Sequence, residues 1–277
     1  MNNLSFGLNT DSVLFTSFLN FIEKKTGMSF LHANYASIAQ TINKRCEELN
    51  IDSGDYLNKI KNNNIEQKKF LNDVTINETY FFREYKQIKV IQKNVLPDIF
   101  EVHKHANLWS VACSTGEEAF SLALLAEDIK RQNGNNYTIY ATDLNTHALK
   151  ILQNGEYGKN SFRADGESFH YLLKKYCEQT IKGWKVNKSL INKVEVLPLN
   201  LYSDSFSIIP DNINLAVLRN TLIYLNMEAR QKIIKKVIDK ILPGGYLFLS
   251  ACEVYLGNNP KLEVFENNGV YFFRKKK

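Results

Sequence analysis

The feature that most constrains this chain is a change of rhythm near residue 107. Residues 108–112 form a short apolar run that ends in Cys113-Ser114-Thr115-Gly116. A helix-period stretch follows over 117–131, with Phe120, Leu122, Ala123, Leu125 and Ile129 recurring. Residues 137–142 are β-branched and aromatic and close on Asp143, and Asn145 or Thr146 is placed to cap a further helix ending at Asn154. The pattern continues with a strand over 194–199, a strand at Ile213–Leu218, a long helix over 227–242, a Pro243-Gly244-Gly245 turn, a strand over 246–251 and a last strand over 270–274. Strands alternating with helices of about 10–15 residues predict an α/β domain with a mostly parallel sheet covered on both faces. Residues 157–192 break the alternation with short Tyr-, Lys- and Trp-bearing segments, which predicts a small inserted subdomain.

Upstream, the chain reads as helical. Val13–Thr26 has Leu14, Phe15, Phe18, Leu19, Phe21 and Ile22 at helix spacing, with Gly27 as its stop. Tyr35–Leu49 turns Ile38, Ile42 and Cys46 inward and Lys44, Arg45, Glu47 and Glu48 outward, and residues 53–60 and 66–74 predict two short helices. The expected organisation is a small all-α domain over 1–75, a linker and connecting helix over 76–106, and the sheet domain over 107–277.

Composition narrows the classes. The chain has 277 residues, 44% hydrophobic and 23% charged, enough to bury a core and too apolar for disorder. No apolar stretch approaches the roughly 20 residues of a membrane span, and residues 1–10 lack a basic segment followed by an apolar one. A cytoplasmic protein without membrane insertion is expected, and a monomer. Cys46, Cys113, Cys177 and Cys252 are widely spaced and the five histidines complete no zinc spacing, so reduced thiols and no metal site are expected. The formal charge of +6 sits in small clusters such as Lys24-Lys25, Lys174-Lys175 and Lys235-Lys236, which read as solvated faces rather than a nucleic-acid stripe.

Two constellations carry chemistry. In open α/β sheets, ligands bind beyond the carboxyl ends of the strands. The turn at Ser114-Thr115-Gly116 is neither a G-x-G-x-x-G fingerprint nor a phosphate loop, and Glu117-Glu118 opens the helix behind it. Two acids there favour a cationic or neutral ligand over a phosphate, although acids in a first turn also complement the helix dipole. Asp143 closes the next strand 27 positions after Gly116 (143 − 116). An acid about 20 residues beyond such a turn grips a ribose hydroxyl; alone it would be read as a turn or cap residue. Together, the turn and the acid point to a nucleoside without a pyrophosphate, and S-adenosylmethionine is such a molecule.

Two further segments, Thr75-Ile-Asn-Glu-Thr-Tyr-Phe-Phe-Arg83-Glu84 and Arg219-Asn220-Thr-Leu-Ile-Tyr224, mix polar and bulky apolar groups. With them the chain resembles the CheR-type chemotaxis receptor methyltransferases over almost its whole length. Thr75–Glu84 resembles the family's T-x-N-E-T-x-F-F-R-E segment, ACSTGEEAFS at 112–121 its A-x-S-T-G-E-E-x-Y-S loop, and Arg219–Tyr224 its R-N-x-x-I-Y motif. The helical beginning is similar to the family's N-terminal domain. The resemblance implies a Rossmann-like methyltransferase sheet behind an all-α domain, S-adenosyl-L-methionine as methyl donor with S-adenosyl-L-homocysteine as product, and glutamate carboxylates on receptor cytoplasmic helices as acceptors.

By motif position the resemblance also implies roles. Asn77 and Thr79 would contact the cofactor's methionine part or shape its pocket, and Arg83 would hold the cofactor carboxylate or orient the incoming glutamate. Glu118 would face the cofactor's amino-acid end beside the Gly116 turn, Asp143 its ribose, and Asn200-Leu201 its adenine. Arg219 and Asn220 would line the cofactor site, with Tyr224 near the transferred methyl. Arg83 and Tyr224 are the expected catalytic residues. The sequence departs from the family pattern at Leu218 (usually Cys), Leu225 (usually Phe) and Ser250-Ala251-Cys252-Glu253 (usually G-H-S-E). The 179–193 stretch is short, so binding of a receptor tether is not expected. Lys44 and Arg45 would offer a modest basic face to an acidic receptor bundle, or form a solvated face. The competing functions are a same-fold methyltransferase with another acceptor and a non-catalytic module that binds cofactor or receptor.

Overall fold

A computed structural model describes residues 7–29, 35–250, 253 and 259–277, apart from the side chains of 131–133 and 165. The chain divides into two compact units, Met1–Ile76 with Tyr224–Gln231, and Asn77–Ile223 with Lys232–Lys277.

The first unit holds α1 (Val13–Thr26), α2 (Tyr35–Leu49), α3 (Ser53–Asn62) and α4 (Asn64–Val74). Local chemistry sets the boundaries. Ser12 Oγ accepts from Phe15 N at the start of α1, and Gly27 ends the helix in the left-handed region at φ 72°. Asp52 and Asn63 cap α3 and α4. The apolar stripes meet in a core of Phe15, Phe18, Ile22, Ile42, Cys46 and Phe70. Within this unit Ser29 N donates to Tyr224 O at 2.7 Å and Asn226 N to Gly27 O at 2.9 Å.

Arg45 departs from expectation. Its Nη2 donates to both Glu66 carboxylate oxygens at 2.7 and 2.8 Å, and its Nη1 to Glu48. Arg45 Nε adds a third bond to Glu66 at 2.9 Å and Tyr56 OH a fourth at 3.2 Å. Burial lowers the Arg45 pKa, but Glu66 and Glu48 outweigh it and raise the pKa overall. A guanidinium committed to a carboxylate that is 6% exposed is not offered to a partner, so Lys44 and Arg45 do not form a basic face.

The second unit begins with α5 (Tyr85–Val90), which runs through a π-helical segment (Ile91–Val95) into α6 (Leu96–Val102). Then come β1 (His105–Val111), α7 (Glu117–Asn133), β2 (Asn136–Asp143) and α8 (Thr146–Asn154), capped by Asn145. The insertion carries β3 (Glu156–Gly158), α9 (His170–Tyr176), β4 (Cys177–Gln179), β5 (Gly183–Val186) and α10 (Lys188–Ile191), followed by β6 (Val194–Pro198) and β7 (Ile213–Leu218). The chain ends with α11 (Met227–Lys240), whose first residues belong to the helical unit, and β8 (Ile241–Leu249), β9 (Leu262–Asn267) and β10 (Val270–Lys275).

The main sheet has seven strands in the order β6-β2-β1-β7-β8-β10-β9. The first five are parallel and the last two form an antiparallel edge. Every residue of β7 is buried, as is all of β1 after His105, which is how a strand covered on both faces reads. The chain winds from β1 outward through β2 to β6 and then returns to β7, so the strand order reverses beside β1. The expected Rossmann-like sheet with an all-α preface and a small inserted subdomain is what folds. The insertion is a three-stranded antiparallel sheet, β3-β5-β4.

Two local expectations fail near the end of the chain. The helix over 227–242 stops at Lys240, and Pro243-Gly244-Gly245 lies inside β8 instead of forming a separate turn. Pairing with β7 slips there, from Ile213↔Ile241 to Leu215↔Tyr246, which is a bulge. Gly244 takes φ 84°, and a Cβ on Gly245 would lie 2.9 Å from Ile213 O, so two glycines let the strand carry the irregularity. The end of the expected strand over 246–251 and Ala251-Cys252 of the Ser250–Glu253 motif lie outside the described residues. Strand β9 was not anticipated, because its Glu263-Val-Phe-Glu266 stretch is exposed and carries no core pattern.

Candidate active site

The carboxyl ends of four adjacent parallel strands, β6, β2, β1 and β7, converge where the strand order reverses, which is where an open α/β sheet binds its ligand. Asn200 and Leu201 follow β6, Asp143 ends β2, Gly116 and Glu118 follow β1, and Arg219 and Asn220 follow β7. Seven of the sequence-predicted positions are therefore brought to one end of one sheet.

The turn after β1 is held from the neighbouring strand. Ala112, Ser114 and Gly116 all have positive φ, at 57°, 51° and 96°. Ser114 N donates to Asp143 Oδ2 at 2.7 Å, and Asn145 N donates to Asp143 Oδ1 at 2.7 Å. Burial raises the Asp143 pKa, and these backbone donors oppose the rise. A carboxylate has about four acceptor sites, so both oxygens retain capacity for hydroxyl donors. Gly116 admits no side chain: a Cβ there would stand 2.4 Å from Leu152 Cγ, in a conformation that L-residues rarely take.

Behind the turn are two buried acids. Glu117 accepts from Thr115 Oγ1 at 2.6 Å and Ser161 Oγ at 2.8 Å, and burial raises its pKa against those bonds. Glu118 accepts from Ser110 Oγ at 2.7 Å and Arg219 Nε at 2.8 Å. Burial raises the Glu118 pKa, with Arg219 pulling it back. The Arg219 side chain is 1% exposed, and its Nη1 donates to Arg83 O at 2.8 Å. Arg219 thus reaches solvent scarcely at all; it ties the turn after β1 to the segment ending at Arg83.

Asn220 is anchored twice. Its N–H donates to Glu253 Oε2 at 2.9 Å and its Nδ2 to Glu84 Oε1 at 3.1 Å. Glu253 also accepts from Ile223 N at 3.2 Å and Ser250 Oγ at 2.5 Å. Gln87 completes the frame, donating from Nε2 to Leu249 O at 2.8 Å. Tyr157 OH also steadies the turn after β1, donating to Thr115 O at 2.7 Å. Sequence reading gives no role to Gln87, Ser110, Tyr157 or Ser161, and it holds Glu84 and Glu253 only as members of the quoted Thr75–Glu84 and Ser250–Glu253 segments.

The remaining predicted positions are less enclosed. Asn77 is exposed and accepts from Ser114 Oγ at 3.5 Å, the outer limit of a hydrogen bond, and Thr79 is half-buried. Arg83 is half-buried, donates from Nη1 to Glu78 O at 2.8 Å and lies over the Tyr80 ring. The Asn200 side-chain oxygen accepts from Tyr202 N and Ser203 N, shaping its own turn. Tyr224 belongs to the helical unit and is half-buried. Burial pushes the Cys113 thiol well up, so it is no nucleophile at neutral pH. Among the described residues no group of three His, Cys, Asp or Glu could hold a metal, and no helix is long and apolar enough to cross a membrane.

This donor set suits a nucleoside carrying positive charge. Glu84, Glu117, Glu118 and Asp143 gather at the strand ends, the one deeply buried cation there among the described residues, Arg219, is already paired, and no lysine stands at the turn to take a phosphate. Residues 77–270 match the family described as "CheR methyltransferase, SAM binding domain". The sheet unit is an S-adenosylmethionine-dependent methyltransferase. Residues 14–75 match "CheR methyltransferase, all-alpha domain". The chain belongs to the CheR methyltransferase family.

Relatives agree over most of the length. The chain is 29% identical over 254 residues to chemotaxis protein methyltransferase 1 of Pseudomonas aeruginosa, covering 89% of this chain and 91% of that protein. It is 30% identical over 209 residues to the chemotaxis protein methyltransferase of Listeria monocytogenes, covering 74% and 76%. To that of Escherichia coli it is 27% identical over 216 residues, covering 73% and 70%.

Proposed function

We propose that this enzyme methylates glutamate side-chain carboxylates on the cytoplasmic helices of chemotaxis receptors, the methyl-accepting chemotaxis proteins, giving methyl esters that serve sensory adaptation. What carries the reading is the extent of the likeness to chemotaxis protein methyltransferases, which takes in both the helical unit and the sheet unit. The segment Asn77–Glu84, with Arg83 at its end, is the part of the chain whose chemistry suits a carboxylate acceptor.

The chemistry asks little of a base. A glutamate with a pKa of about 4.3 is already ionised at neutral pH. Bound S-adenosylmethionine supplies a methyl on a sulfonium, a good electrophile. The protein's work is to hold the acceptor carboxylate in line and to strip water from it. Arg83 orients the incoming glutamate or holds the cofactor carboxylate, since a planar guanidinium grips a carboxylate through two N–H groups. Asp143 takes the ribose hydroxyls while its backbone bonds keep the turn at Ala112–Gly116 in place. Glu118 faces the cofactor's amino-acid end, and Arg219 acts through Glu118 by fixing its carboxylate. Asn77 and Thr79 border the methionine part, Asn200-Leu201 the adenine, and Asn220 the cofactor pocket. Tyr224, placed near the methyl, enters on its position in the R-N-x-x-I-Y motif alone.

Incubation with labelled methyl donor and receptor-enriched membranes, followed by mild base, tests the reading. Base-labile label on receptor-sized protein is expected. Label that survives base, or that appears only on RNA or a small molecule, overturns it. Arg83→Ala and Tyr224→Phe test the two catalytic assignments: turnover that is intact in either at saturating cofactor removes that residue from the mechanism.

A further inference from the structure

The insertion reaches back to the segment that ends in Arg83. Phe81 N donates to Ser161 O at 2.9 Å. Phe81 stacks on Phe162 with ring centroids 4.9 Å apart and 7° between planes, and Phe82 stacks on Phe169 at 5.0 Å. Gly166 lies so close that a Cβ on it would be 3.0 Å from Phe81 O. Backbone bonding, two aromatic stacks and a close backbone approach therefore fix residues 161–169 against residues 78–83.

Arg163 is placed by that packing. Its guanidinium lies 4.2 Å from the centre of the Tyr80 ring, and its Nη2 is 3.0 Å from Glu78 Oε1. The Arg83 guanidinium lies 5.6 Å from the centre of the same ring, and its Nη1 donates to the Glu78 carbonyl. Two guanidiniums thus share one aromatic ring and one neighbouring residue, Arg163 through the Glu78 carboxylate and Arg83 through the Glu78 backbone carbonyl. Each guanidinium has five N–H donors in a flat fork. The Arg163 side chain is 47% exposed and that of Glu78 57%. An ion pair so open to solvent adds little to stability, so an incoming carboxylate can replace Glu78 at Arg163 without unfolding anything.

We propose that Arg163 is a specificity residue for the acceptor: it binds an acidic side chain that neighbours the target glutamate on the receptor helix, while Arg83 serves the target itself. This rests on the receptor-glutamate reading above. The chemistry that recognises the partner is a helix with closely spaced carboxylates, which two guanidiniums beside one ring select over a helix with a single acid. Tyr80 takes part in this, since cation–π contact holds the Arg163 head beside the same ring that Arg83 approaches.

The test uses the full-length enzyme, labelled methyl donor and a purified receptor cytoplasmic fragment, comparing wild type with R163Q, R163E and R163K. The expected result is a rise of about tenfold in KM for the fragment in R163E and a smaller rise in R163Q, with R163K recovering part of the loss. The kcat, the calorimetric affinity for S-adenosylhomocysteine and the thermal midpoint should stay at wild-type values. Added salt should raise the wild-type KM more than that of R163E. If wild type methylates the fragment and R163E does so with the same KM, this inference alone is overturned. If the variants instead lose cofactor affinity or thermal stability, Arg163 is only a tie between the insertion and the 78–83 segment. A wild-type enzyme that binds S-adenosylhomocysteine but labels no receptor overturns the receptor reading and this inference with it.

Discussion

Glu118→Gln is the sharpest probe of how the site is built. The substitution keeps shape and removes one charge from a pair whose other member, Arg219, is 1% exposed. Removing one partner of a buried pair costs about 3–5 kcal/mol, because the remaining charge is left in a poorly solvated place. Arg219 keeps Arg83 O at 2.8 Å and has Gln87 Oε1 at 3.5 Å, and the amide oxygen of the variant can still accept one bond, so the lower end, about 3 kcal/mol, is expected. Against a total of about 5–15 kcal/mol that is a large fraction, and at roughly 2–4 °C per kcal/mol the thermal midpoint falls by about 6–12 °C. Arg219→Met strands Glu118 in the converse way, and Glu118 then answers burial by taking up a proton. The double variant leaves two neutral groups and should lose less than the sum of the singles, with a coupling of about 1–3 kcal/mol. Urea denaturation of all four proteins at neutral pH gives the cycle. If Glu118→Gln costs under about 0.5 kcal/mol, or the two singles add, the pair does not hold the turn after β1 to the segment ending at Arg83.

Gly116→Ala should lower both stability and affinity for S-adenosylhomocysteine, because the new methyl meets Leu152 at a φ of 96°; calorimetry and a thermal melt read the two effects. Glu253→Gln keeps one acceptor oxygen but turns an NH2 toward groups that donate to it, Asn220 N among them, for a loss of about 1–3 kcal/mol and a weaker cofactor complex. A variant that matches wild type in both measurements removes Glu253 as the anchor of the turn after β7. The buried Glu117 should give an unusual pH slope. Burial raises its folded-state pKa above the ordinary 4.5, so the folded state binds the proton more tightly than the unfolded one. Its contribution is therefore full below about 4.5 and is lost as pH rises through the raised value. The urea midpoint of wild type relative to Glu117→Gln should fall as pH rises above about 4.5 and through the raised value; a constant difference refutes the assignment.

The parts of the fold that sequence showed are those where a local pattern decides the structure. Val13–Thr26 and Ile213–Leu218 agree with expectation to the residue, since helix spacing with a stop glycine and a short wholly apolar run leave few alternatives. The positions Gly116, Asp143 and Asn220 were legible as strand-end residues for the same reason. Where the reading failed, a tertiary contact overrode the local signal. Pro243-Gly244-Gly245 has turn chemistry, yet pairing with β7 keeps it in a strand. Arg45 faces outward on its own helix, yet Glu66, 21 positions away, takes its guanidinium. The tie that Arg219 makes to Glu118, 101 positions earlier, is hidden from any local pattern in the same way.

Distance in sequence also hides what makes the site rigid. Among the described residues, seven that are not glycine have positive φ, and five of them, Phe82, Glu84, Ala112, Ser114 and Asn220, lie in the three segments that frame the strand ends. Such conformations cost about 1–3 kcal/mol each and persist only where surroundings over-determine them. Here the means is shared: Phe82 N is held by Ser121 Oγ, Ser114 N by Asp143 Oδ2 and Asn220 N by Glu253 Oε2, each a side-chain oxygen from another element. The separations are 39, 29 and 33 positions, so no window on the sequence contains both the strained residue and its anchor. A positioning reaction gains most from such an arrangement. When the protein's contribution is to fix an acceptor against one methyl, small displacements of the frame are expensive, and anchored turns displace less than turns held by their own sequence. The anchors Ser121, Asp143 and Glu253 should therefore matter to turnover out of proportion to how many of them touch a ligand.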